Sequence, residues 1–157
     1  MKISVFGLGY VGLVSSVCLA NIGHKVIGVE NQKKKVRLIN SGQVPFYEKG
    51  VQALLKKNLR KNLLVSTDAH FAIKNSDISI ICVGTDLNKK GNLNLKNIDK
   101  VFLQIIKCLK NKLSKHYILV RSTTYPGTIN YLLKKLENLN KKINCEVVSN
   151  PEFLREG

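Results

Sequence analysis

The stretch KISVFGLGYVG, residues 2–12, decides how the rest of the chain is read. A short apolar run meets three glycines, Gly7, Gly9 and Gly12, spaced G-x-G-x-x-G, and a helical segment follows from about residue 10 to 22. Alone, the spacing is weak, because glycines are common in turns. Here a strand leads into it and a helix opens out of it, the context in which it has a mechanical meaning. Gly7 permits the tight turn, Gly9 lets backbone amides approach a pyrophosphate, and Gly12 lets the helix pack close to the strand. The helix N-terminus adds partial positive charge.

Outward from this stretch, apolar runs and helical patterns alternate to the end of the chain. Strands are expected at 2–6, 25–29, 63–66, 78–83, 117–121 and 145–148. Helices are expected at 10–22, 33–40, 50–61, from near Asp68, at 97–110 and at 127–138. In 97–110, Ile98, Val101, Phe102, Ile105 and Ile106 recur at helical spacing. The strand runs are continuously apolar, as expected where helices cover both faces of a sheet. The pattern predicts an α/β fold: a doubly wound parallel sheet of about six strands with helices on both faces, a Rossmann NAD-binding domain covering residues 1–157. The segment TDLNKKGNLNL, residues 85–95, reads as a polar loop.

Composition narrows the function classes. With 44% apolar and 23% charged residues, the chain reads as globular and cytoplasmic, with no apolar stretch of membrane-spanning length. Its net charge of +16 invites a nucleic-acid reading, yet the lysines are spread along the chain and aromatics make up only 6%. No nucleic-acid partner and no membrane partner is expected. The four cysteines, Cys18, Cys82, Cys108 and Cys145, show neither C-x-x-C spacing nor a histidine at metal spacing, so no metal site is expected. Cys18, Cys82 and Cys145 sit among apolar neighbours and read as small buried hydrophobes.

Glu30 ends the second strand, 18 residues past Gly12, where a carboxylate can accept both hydroxyls of an adenosine ribose and repel a 2′-phosphate. That favours NAD, although Lys33, Lys34, Lys35 and Arg37 follow directly and are able to hold a phosphate. Lys35 reads either as a ribose or phosphate contact or as a solvated helix lysine. Three more strand ends fall on one sheet edge: VGT (83–85), RSTTYPGT (121–128) and SNPEF (149–153). Ligands of open α/β sheets bind outside the carboxyl ends of strands, so Thr85, Ser122 and Thr123 are candidates for cofactor or substrate contact. Glu152 and Glu156 close the chain, four residues apart.

The stretches FGLGYVG, GHKVIGVE, ICVGT, RSTTYPGT and SNPEFLREG, in this order, resemble the UDP-glucose/GDP-mannose dehydrogenase family over essentially the whole chain. The resemblance implies an NAD-dependent nucleotide-sugar 6-dehydrogenase of polysaccharide biosynthesis, oxidising GDP-mannose or UDP-glucose to the uronic acid by two hydride transfers. It implies that Tyr10 and Val11 touch the cofactor pyrophosphate through the backbone. Glu30 and Lys35 would hold the ribose, and Thr85 and Thr123 would lie along the nicotinamide half. It makes Glu152 the acid beside the reacting carbon, suited to proton transfer by burial, with Thr123 orienting a water. Phe153, Leu154, Arg155 and Glu156 would contact the sugar nucleotide. The family's nucleophilic cysteine belongs to a second domain beyond a connecting helix, and that domain, which makes the homodimer, is expected to lie outside these residues. Alone, the chain is expected to bind NAD without turnover. Glu30 stands where the family more often has Asp, and Asp86 where it has Pro. RST and the KKGNLNL loop look more like the GDP-mannose branch, whereas FYEKG suits UDP-glucose equally and STTYPGT is also similar to dehydrogenases of N-acetylated sugars. The alternative is a Rossmann binding or regulatory module that has lost catalysis.

Overall fold

The computed structural model describes residues 1–85, 87, 91–139 and 143–153. Its strands are β1 (Lys2–Phe6), β2 (Lys25–Val29), β3 (Leu63–Ser66), β4 (Ile78–Ile81), β5 (His116–Val120) and β6 (Cys145–Ser149). Its helices are α1 (Tyr10–Asn21), α2 (Lys33–Asn40), α3 (Val51–Asn58), α4 (Ala69–Lys74), α5 (Lys96–Leu109) and α6 (Thr128–Asn138). The strands form one all-parallel sheet in the order β3-β2-β1-β4-β5-β6. The chain therefore winds outward in one direction from β1 to β3, then returns to the centre and winds the other way. The two central strands, β1 and β4, flank the point where the direction reverses.

The central strands β1, β2 and β4 are buried on both sides because each side has its own helical layer, whereas β3, β5 and β6 leave Leu64, Tyr117 and Val148 exposed. Phe6, Ile27, Ile81 and Ile118 pack against α4, α5 and α6, with Phe102, Ile105 and Leu132 filling the space between. Val5, Val26, Leu63 and Ile80 pack against α1, α2 and α3, where Leu13, Val17, Ile39 and Leu55 are buried. Burying such side chains contributes about 1.5–3 kcal/mol each before chain entropy is set against it.

The differences from the expected boundaries have physical causes. Strand β4 ends at Ile81 instead of residue 83; the Cys82 amide still donates to the Phe6 carbonyl at 2.8 Å, and Val83–Thr85 then leave the ladder to line a cleft. Helix α3 stops at Asn58, where the chain turns through Arg60 at φ 63°. Within the expected loop 85–95, Leu87 bridges Leu93 and Leu95 packs against the core; Asp86 and residues 88–90 lie outside the described residues. Cys18 is exposed, correcting its reading as a buried hydrophobe. Helix α1 is apolar nearly all round, and its inward stripe is Leu13, Val17 and Ala20, which turns Cys18 away. Cys82 and Cys145 are half-buried.

A polar network is buried at the opposite end of the sheet from that cleft. Ser4 of β1 and Ser79 of β4 have their hydroxyls 2.7 Å apart, and Ser79 is 2.7 Å from Nε2 of His116, the first residue of β5. Ser76 lies 3.0 Å from Ser4 and donates to the Ala72 carbonyl at 2.8 Å. Lys112 approaches His116 Nδ1 at 3.0 Å and donates to the carbonyls of Ile73 and Ser76. An ammonium can only donate, so Nδ1 must accept and Nε2 carries the ring hydrogen toward Ser79.

Candidate functional site

The turn between β1 and α1 sets the site. Gly7 adopts φ 90°, and a Cβ there would stand 2.8 Å from the Cys82 carbonyl oxygen. A Cβ on Gly12 would fall 1.8 Å from the carbonyl oxygen of Gly7, so α1 can lie this close to β1 only with glycine there. A Cβ on Gly9 would meet nothing within 4 Å, because it faces open space. Gly9 caps α1, whose first turn carries no acidic residue to compete for an anion.

On one side of Gly9 lies a cleft of about 460 Å3, lined by Gly7, Val29, Glu30, Lys35 and Thr67 and by Asn97, Lys100 and Gln104 of α5. Glu30 is only 6% exposed and sits directly after β2. Its Oε2 accepts from the Leu8 amide at 3.3 Å and from Lys35 Nζ at 3.0 Å, and its Oε1 from the Gln32 amide at 3.1 Å. Burial raises the Glu30 carboxyl, but the Gln32 amide, Lys35 and the Leu8 amide together outweigh it and hold it below its ordinary value. A carboxylate has about four acceptor positions and three are taken, so about one, on Oε1, remains for a ligand. Lys35 is therefore paired with Glu30, not a solvated helix lysine.

Gly9 also lines a second cavity of about 280 Å3, with Tyr10, Val11, Thr85, Arg121, Ser122, Thr123 and Glu152 around it. Cys82, Val83 and Gly84 border both cavities, which therefore form one path across the glycine turn at the switch between β1 and β4. The Ser122 hydroxyl donates to the Val83 carbonyl at 2.7 Å, so its single hydrogen ties two strand ends together. The Tyr10 hydroxyl donates to Glu48 at 2.6 Å, while its ring packs on Phe46, joining the 44–50 segment to the turn. Burial pushes the Cys82 thiol up to about 12, with Arg121 drawing it down and Glu152 adding to the rise. At neutral pH it is a thiol, not a nucleophile.

Thus the described site residues divide cleanly. Gly7, Gly9, Glu30 and Lys35 meet in the first cavity, and Gly9, Tyr10, Val11, Thr85, Ser122, Thr123 and Glu152 in the second. Gly12 lines neither and acts through packing. Phe153 lines neither; its ring is exposed and its amide donates to Glu152 Oε1 at 2.9 Å. Leu154, Arg155 and Glu156 lie outside the described residues. Two participants escaped the sequence reading. Glu48 is one, and Arg121 is the other: it ion-pairs with Glu152 and donates to Asn150 at 3.0 Å. The burial expected of Glu152 is partial, its side chain 18% exposed, and its carboxylate meets a guanidinium.

A dinucleotide fits this path on the protein's own geometry. The open space beside Gly9 admits a pyrophosphate at an acid-free helix start, and Glu30 offers its remaining acceptor position to a ribose. The fold and the path define a dinucleotide-binding domain of the doubly wound class. Residues 1–157 match the model of the UDP-glucose/GDP-mannose dehydrogenase family, NAD binding domain, and the chain belongs to that family. NAD is its cofactor, and the family is one of oxidoreductases.

The chain is similar to the GDP-mannose 6-dehydrogenase of Pseudomonas syringae pv. syringae, 44% identical over 99% of this chain and 37% of that protein. Among solved structures it resembles a ternary complex of GDP-mannose dehydrogenase from Pseudomonas aeruginosa, at TM-score 0.94 and 43% identity over 99% of this chain and 37% of that one. It also resembles a UDP-glucose dehydrogenase from Pyrobaculum islandicum, at TM-score 0.92 and 32% identity over 99% and 36%. The chain thus spans little more than a third of the length of these relatives.

Proposed function

We propose that these residues form the cofactor half of a nucleotide-sugar 6-dehydrogenase, which oxidises the C6 alcohol of a sugar nucleotide to the carboxylate. The observation that carries the reading is the single path from Glu30, across Gly9, to Thr123 and Glu152. In this reading Glu30, steadied by Lys35, accepts a hydrogen bond from the adenosine ribose at its remaining position. The backbone at Tyr10 and Val11 receives the pyrophosphate, and Thr85 and Thr123 flank the nicotinamide. Bound NAD would supply the hydride acceptor. Glu152 takes up the proton that leaves the C6 hydroxyl and later helps to activate water, which Thr123 orients. Phe153, Leu154, Arg155 and Glu156 meet the sugar nucleotide.

The substrate is GDP-mannose or UDP-glucose, and the higher identity to the GDP-mannose enzymes favours the former. Turnover is expected to need residues outside these 157, including the nucleophilic cysteine, in a cytoplasmic homodimer serving polysaccharide synthesis. Among the described residues no helix is long and apolar enough to cross a membrane, and no nucleic-acid partner is invoked.

Calorimetric titration of the chain with NAD and with NADP tests the reading. Saturable NAD binding is expected, with NADP at least tenfold weaker because Glu30 repels a 2′-phosphate. A folded chain that binds neither would overturn it.

A further inference from the structure

Arg121 lines the second cavity without a role in binding the cofactor, yet its guanidinium makes two polar contacts across it. It follows β5, and its amide still donates to the Ile81 carbonyl at 2.9 Å, so its backbone is fixed by the neighbouring strand. The side chain crosses to the segment leaving β6. There Nη1 donates to Asn150 Oδ1 at 3.0 Å and Nη2 to Glu152 Oε2. The other carboxylate oxygen accepts from the Phe153 amide at 2.9 Å. Glu152 is therefore held at both oxygens, and the Asn150–Glu152 turn is fastened to β5 by a planar fork that a lysine cannot reproduce.

The charge pattern is the second observation. The chain carries +16, but the described residues lining this cavity include one cation, Arg121, and one anion, Glu152. The side chains are 25% and 18% exposed and face each other as an ion pair. The cavity wall is neutral within a strongly cationic protein. Neutrality matters here because the oxidised nicotinamide ring bears a positive charge that the reduced ring lacks. A bare carboxylate in the wall would trap the oxidised cofactor; a bare guanidinium would disfavour it.

We propose that Arg121 is a positioning residue that fixes the orientation of the Glu152 carboxylate and cancels its charge, so that the cavity binds oxidised and reduced cofactor without electrostatic bias. This rests on the placement of the nicotinamide half in the second cavity under the proposed function.

The test is the ratio of NADH to NAD+ dissociation constants at pH 7, measured by calorimetry on the 157-residue chain and three variants. Arg121→Gln leaves the carboxylate uncompensated, and the ratio shifts at least about fivefold in favour of NAD+, the bulk-water limit for one unit charge about 4 Å away. Glu152→Gln leaves the guanidinium uncompensated, and the ratio shifts by a similar factor toward NADH. Arg121→Lys keeps the charge and holds the parent ratio. A purely structural role predicts that all three weaken both cofactors alike, so a ratio unmoved in either charge-removing variant, or moved in the same sense by both, overturns the proposal. Should Arg121→Gln fail to fold, Glu152→Gln decides alone. A folded parent that binds neither cofactor overturns the cofactor reading itself, whereas binding with an unmoved ratio overturns only the role of Arg121.

Discussion

At the scale of single residues, the three glycines of the first turn do different jobs, and substitution separates them. Gly12→Ala sets a methyl 1.8 Å from the Gly7 carbonyl oxygen, an overlap that only a shift of α1 can relieve. Urea unfolding is expected to show a loss of about 3 kcal/mol or more, in the range of forced overpacking. Gly9→Ala adds its methyl to open space at a non-glycine backbone conformation, φ −69°. Its stability should stay within about 0.5 kcal/mol of the parent, while NAD affinity falls at least tenfold because the methyl occupies the pyrophosphate's approach. Equal losses of stability in both variants would contradict this division. The glycine pattern was legible because each function depends on spacing along one short segment. Glu30 was legible for the same reason. Arg121 was not, since nothing local indicates that a cation ending one strand turns toward residues 29 and 31 positions later.

At the scale of elements, the apolar runs revealed all six strands: helices cover both faces of the central ones, and β3, β5 and β6 keep apolar residues even at exposed positions such as Leu64, Tyr117 and Val148. The ends were harder. Val83 is as apolar as the strand before it, but it leaves the ladder to border the cleft. The buried network had no sequence signal at all: Ser4, Ser76, Ser79 and His116 are isolated polar residues in separate segments. It makes a prediction about pH. Burial pushes His116 down to about 4, Lys112 adds to the effect, and Asp77 and the Ser76 backbone oppose it. Lys112 is itself lowered by burial, with Lys2 adding and Asp77 opposing. Above the unfolded value of 6.5 both states hold the ring neutral and the stability is complete. Between 6.5 and 4 the unfolded chain takes up a proton that the folded chain refuses, so stability falls as pH falls. The loss approaches about 3 kcal/mol across that window, and urea midpoints from pH 7.5 to 4.5 should follow it. In His116→Gln this part of the slope should vanish; a slope unchanged by the substitution would assign it to other groups.

At the scale of the whole molecule, a net charge of +16 surrounds a cofactor that carries two phosphates. Such a field raises the local concentration of an anion and is screened over about 10 Å at 0.1 M salt. NAD affinity should therefore fall several-fold between about 50 and 500 mM sodium chloride. Titrations at the two concentrations would show it, and a flat response would mean that the lysines lie too far from the path to matter.

The hydroxyl chain at the far end of the sheet also acts as a gauge for the cleft. Ser4 stands opposite Ser79 in the pairing of β1 with β4, and His116 begins the next strand beside them. Sliding any one of these strands by a single residue would turn its polar member to the other sheet face and break the chain. The same strands run upward to Gly7, to Val83 and to Arg121, on the rim of the two cavities. Their relative heights at the rim are thus levelled from below, three to five residues away along each strand, by groups that line neither cavity.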